Sequence, residues 1–83
     1  MSRFFRPCIS ILVTANELNI PLAFTWQHQS HVIIGVANRW RIHSQWWLAT
    51  IHRDYFKVYT PHMLAEIFYD LETDQWYLQR IYD

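Results

Sequence analysis

One glycine, one cysteine and three prolines are spread over 83 residues, and charged side chains make up only 17% of the chain. A single glycine leaves no Gly-rich loop to cradle a phosphate and no GxSxG turn to expose a nucleophile. Ser10, Ser30 and Ser44 therefore carry no hydrolase motif. A single cysteine, Cys8, excludes an intrachain disulfide and fits a reducing, cytoplasmic setting. Within the apolar run CISILVT its thiol reads as a small, inert hydrophobe. CxxC and HxxxH pairs are missing, whereas a structural zinc site draws four ligands from such pairs. His28 and His31, three apart, read as polar turn residues in QHQS, and neither metal nor cofactor is expected. Glu66, Asp70, Glu72 and Asp74 cluster around a hairpin, where acids solvate a turn. Without a nucleophile, a metal set or a concave site, the chain is not expected to be an enzyme.

Targeting signals are equally sparse. The start, MSRFFRPCISILVTANE, is basic and then briefly apolar. Pro7 interrupts it and no small-residue cleavage site follows, so no signal peptide is expected. Leu18 to Asn38 lacks Lys, Arg, Asp and Glu over 21 residues. It nevertheless contains Asn19, Pro21, Gln27, His28, Gln29, Ser30 and His31, a poor composition for a membrane span.

What the sequence does have is apolar and aromatic bulk. Hydrophobic residues make up 52%, with five each of Trp, Tyr and Phe. Residues 1–83 form one small domain with a thin core, which large rings help to fill. Net charge is zero but uneven. Through Arg53 there are five arginines against Glu17 alone (+4). From Asp54 onward Lys57 and Arg80 stand against six acids (−4). Such a split allows head-to-tail self-association if folding leaves the halves apart.

The local signals are β. CISILVT, PLAFTWQ, HVIIGVANRWRI (with a bulge expected at Gly35), DYFKVYT, LAEIFYD and WYLQRIYD read as strands. QHQS and TPHM read as turns, and LETDQ as a hairpin connection. HSQWWLATIHR, His43 to Arg53, reads as a loop or a single helical turn. If Phe68 faces Leu78 across the last hairpin, Glu66 faces Arg80 in the same register, a mildly favourable opposite-charge pair. The expected architecture is mainly β: a five- or six-stranded antiparallel meander rolled into a small SH3-like barrel.

The stretch RWRIHSQWWL concentrates tryptophans and arginines. Strand alternation puts Arg39 and Arg41 on the face opposite Trp40, which suits a buried Trp40 under a cationic surface. Trp46 and Trp47 are adjacent, so in extended chain they point opposite ways, and one of them is an interface candidate. Trp40, Glu66, Arg80, Phe68 and Leu78 are read as structural; Trp46, Trp47, Arg39 and Arg41 are the candidate interface.

Several segments together resemble a small bacterial family of unknown function: MSRFF, FTW (24–26), RWR, WW, DYFKVYT and AEIFYDLETDQWYLQRIYD, in that order. Its members are short β-rich proteins, sometimes found beside or within mutasome-type translesion polymerase proteins. The resemblance implies a β fold and, by neighbourhood, a link to DNA damage tolerance; it implies no activity. Here QHQSH replaces an arginine-rich hairpin with a glycine, and Asp74 stands where glycine is usual. Asp tolerates the left-handed conformation that such a turn requires.

These readings converge on a non-enzymatic β-rich interaction module, an accessory protein or subunit of a larger protein assembly. The expected partner is another protein or a second copy of the chain, since interface cores are enriched in Tyr, Trp, Phe, Met and Arg. The alternative is a nucleic-acid-binding module acting in DNA damage tolerance, which would use the Arg39/Arg41 side and an exposed tryptophan.

Overall fold

A computed structural model describes residues 2–47 and 49–82. The described residues form seven antiparallel strands and no helix: β1 (Ser2–Ala15), β2 (Pro21–Trp26), β3 (Gln29–Val32), β4 (Gly35–Trp46), β5 (Ala49–Tyr59), β6 (Leu64–Asp70) and β7 (Gln75–Tyr82). They pair in the order β3-β2-β1-β7-β6-β5-β4, in a curled half-barrel rather than the SH3-like barrel of five or six strands expected. The strand count rises for two reasons. HVIIGVANRWRI does not form one strand: β3 ends at Val32 and β4 begins at Gly35. Within His43–Arg53, residues 43–46 and 49–53 belong to two paired strands rather than to a loop or a helical turn. The bulge falls at Ala37, between Val36 and Asn38, and not at Gly35.

Curling follows from β1, which changes partner along its length. Its first part pairs with β7 as far as Ile11↔Trp76, and its second part pairs with β2 from Leu12↔Thr25. A strand that passes from one neighbour to another makes a corner. Pro7 lies where the β1–β7 ladder lapses, between Phe4 and Ile9; such an irregular stretch tolerates a residue without an N–H. The β2–β3 hairpin thereby brings Phe24 into one core with Ile11, Phe56, Val58, Ala65, Ile67, Trp76, Leu78 and Ile81.

Turns carry the chemistry that positive φ demands. Gln27 (φ 53°) and His28 (φ 63°) form the two-residue β2–β3 turn, a conformation usually filled by Asn-Gly. Asp74 takes φ 58°, the left-handed conformation expected of it, and its N–H donates to Asp70 O at 2.8 Å. TPHM turns as expected: Thr60 Oγ1 accepts from His62 N and Met63 N.

The last hairpin holds the expected Glu66↔Arg80 pair, but the expected Phe68–Leu78 pair is absent. Between Glu66 and Ile67 the register shifts, so Gln79 is the extra residue of a bulge. Phe68 faces Tyr77, and Leu78 faces Ile67 on the other side of the sheet. Leu78 is consequently fully buried in the core, while Phe68 belongs to the opposite face. The bulge lets the Gln79 side chain reach Glu66, its Nε2 donating to Oε2 at 2.6 Å.

Candidate functional site

β4 and β5 pair further than the rest of the sheet follows. β6 covers β5 only from Arg53 to Tyr59, and one further hydrogen bond, Leu71 N to His52 O at 2.9 Å, marks the limit. Beyond it stand His43↔His52, Ser44↔Ile51, Gln45↔Thr50 and Trp46↔Ala49, paired only with one another. This two-stranded arm contains no Lys, Arg, Asp or Glu from Ile42 to His52. The His43 and His52 rings stack at 4.3 Å, a contact the sequence reading missed and the hairpin register alone could have shown. Only residues 47 and 48 separate the strands, and neither is the Asn, Asp or Gly that a tight turn favours. Trp47 sits in that turn and is 86% exposed. Trp47, one of the two candidate tryptophans, is thus exposed. Trp46 ends β4, and its side chain lies outside the described part.

Along the sheet β4 is an edge, paired only with β5. Arg39 and Arg41 lie opposite Phe56 and Asp54, on the core side of the sheet. Arg41 grips Asp54 through Nε to Oδ1, and through a guanidinium nitrogen to Oδ2 at 2.9 Å. That hydrogen bond and its charge hold the Asp54 carboxyl below the usual carboxylate range. The Arg39 guanidinium rests over the Phe56 ring at 5.3 Å. Alternation separates Trp40 from both arginines, as the sequence implied, but the faces are exchanged. The arginines border the core side, and Trp40, half-buried, lies outside the core cluster.

Trp40 instead ends a row of rings across four strands. It stacks on Tyr55 at 5.2 Å and 6°; Tyr55 packs on Phe68 at 4.9 Å; Phe68 stacks on Tyr77 at 5.2 Å. Cations roof this row. Arg53 lies over Phe68 at 4.6 Å and donates to the Tyr55 hydroxyl at 3.2 Å. In the neighbouring row Lys57, Glu66 and Arg80 are successive cross-strand partners. Lys57 and Arg80 lie over Tyr82 at 4.5 and 4.9 Å, and Tyr82 Oη donates to Glu66 Oε1 at 3.0 Å. Folding therefore mixes the basic and acidic halves: Asp54 meets Arg41, Arg53 opposes Asp70, and Glu66 lies between Lys57 and Arg80. The head-to-tail attraction that the sequence allowed loses its basis.

Two further polar groups sit in the apolar interior or beside it. His31 is not a turn residue: it lies in β3, buried, stacked on Phe24 at 5.2 Å. Only His28 of that pair occupies the turn. Burial, with a smaller effect from His62, pushes the His31 imidazole below its ordinary value. Cys8 is half-buried, its Sγ 3.8 Å from Gln79 Oε1. Among the described residues no three His, Cys, Asp or Glu side chains come together.

His31 and Asp54 predict a stability loss in two windows on acidification. His31 has a depressed folded pKa, so the unfolded chain binds its proton more readily, and stability falls as pH drops below about 6.5. Asp54 is also depressed; it adds stability above about 3.9 that is lost as pH falls further. Urea unfolding across this range is expected to show both declines. His31→Gln should flatten the first and Arg41→Gln the second; a profile indifferent to both variants would refute the assignment.

No protein-family model, no curated protein and no solved structure matches the chain.

Proposed function

We propose that the chain is a non-enzymatic interaction module, an accessory protein or subunit of a larger protein assembly, which receives its partner along the free edge of β4 and the arm. The observation that carries this reading is Trp47, 86% exposed at the tip of a charge-free arm. A large ring held out in water by a turn that would favour Asn or Gly is a liability unless a partner covers it. Ile42 on the same arm is also exposed. A free strand edge adds a row of main-chain donors and acceptors that another chain can pair with.

The nucleic-acid alternative needs open rings beside unspent cations. Tyr55 and Phe68 are 6% and 2% exposed, and Arg53, Lys57 and Arg80 lie over the protein's own rings. These observations count against a nucleic-acid platform on the Tyr55–Phe68 face; the Arg39/Arg41 side with Trp47 is decided by the following test.

Salt separates the two readings. Gel filtration of the native complex at about 50 and 200 mM salt, with and without nuclease, is expected to leave the chain in a large species each time. A nucleic-acid complex would lose orders of magnitude in affinity over that range. Collapse to the size of the free chain on nuclease treatment would overturn the proposal.

A further inference from the structure

We propose that the occupant of the β4 edge is an extended segment of a partner protein that places acidic, apolar and acidic side chains at three successive positions opposite Arg41, Trp40 and Arg39. This rests on the interaction-module reading and names the chemistry of its partner.

The sheet has two edges of very different length. β3 offers four residues and β4 twelve. Natural sheets keep exposed edges short or protected, so β4 is the edge with room for an added strand. A strand pairing there meets side chains that alternate between two faces. On one face come Arg39 and Arg41; on the other come Trp40 and Ile42. β4 carries no acid. Asp54 takes both oxygens to Arg41, and among the described residues Arg39 forms no ion pair. Of two acids set two apart on an added strand, one would face Arg39, a cation without an ion pair among the described residues, and the other would join Arg41, already held by Asp54; opposite charges directly across a pair are favourable. The residue between those acids points to the other face, beside Trp40. There an aromatic or β-branched side chain would extend the row Trp40–Tyr55–Phe68–Tyr77 by one more member.

A second copy of the chain fits less well. Two β4 strands paired antiparallel about Trp40 set Arg39 against Arg41 twice, and like charges directly opposite are destabilising. Pairing about Ile42 sets Arg41 against His43, which supplies no counter-charge. The bulge at Ala37 also interrupts a long regular edge, a usual guard against self-pairing.

The test uses fluorescent peptides as long as β4, twelve residues, with a central Glu-Tyr-Glu, and matched peptides with Lys-Tyr-Lys. Anisotropy titrations on the full chain are carried to about 1 mM, the weak end of specific binding. Glu-Tyr-Glu should bind the wild type at least about tenfold more tightly than Lys-Tyr-Lys. Arg39→Glu, at an exposed position, should invert that preference, and hydrogen exchange should slow at β4 amides when the peptide binds. Equal binding of the two peptides, binding of neither, or protection of β4 amides by dimerisation without peptide would overturn the proposal. If the peptides fail while Trp47→Ala still releases the chain from its assembly, the partner motif falls and the module reading stands. If the chain stays in its assembly in both Trp47→Ala and Arg39→Glu, the module reading itself falls.

Discussion

Phe68→Ala is expected to destabilise the fold by about 3–5 kcal/mol, although Phe68 points away from the main core. Its ring is 2% exposed. Tyr55 and Tyr77 flank it at 4.9 and 5.2 Å, and Arg53 covers it at 4.6 Å. Truncation removes three contacts at once and opens a hole in a row that has no deeper layer to collapse into. A domain of this size has roughly 4–12 kcal/mol of stability in all, so much of the margin would go. Trp40→Ala, at the open end of the same row and half-buried, should cost distinctly less. Urea denaturation of both variants measures the difference. A Phe68→Ala loss below about 1 kcal/mol, the centre of the ordinary mutational range, would show that the row does not stabilise the sheet.

Trp47→Ala is expected to do the reverse. At 86% exposure the ring contributes little to the folded monomer, so the urea midpoint should stay within about 0.5 kcal/mol of wild type. Association should weaken by about 2 kcal/mol or more, roughly thirtyfold, as for a central aromatic anchor. The size of the native complex and the affinity of the variant for it supply the measurement. An unchanged affinity would place the binding surface away from the arm.

The strands and the last hairpin were legible because their apolar residues alternate and their turns carry the right residues. LETDQ, for example, announces a turn, and Asp74 takes the left-handed conformation its side chain tolerates. Three features were not legible, each for a physical reason. The arm leaves no mark in the sequence because SQWWLA has no turn chemistry, so nothing in it signals a reversal of direction. Phe68 and Leu78 do not share a rung because a bulge at Gln79 adds one residue without any local sign, and one residue exchanges the faces. Trp40 looks like core in the sequence because a large ring flanked by arginines implies a dry side and a wet side. In the structure both faces of the sheet hold packed rings, and alternation does not say which is the inner one.

The strand order holds a topological consequence. Read from β4, the sheet runs β4-β5-β6-β7-β1-β2-β3, which is a plain up-and-down meander whose linear order has been cut and rejoined. Residues 2 and 82 are cross-strand neighbours, and Ile33–Ile34 joins the two outermost strands. Only the β1–β7 ladder links residues distant in sequence; every other ladder joins consecutive strands. The chain is thus two local units, 2–32 and 35–82, whose union waits on one long-range closure. That closure, carrying the largest loop entropy, is the step expected to govern how fast the domain folds.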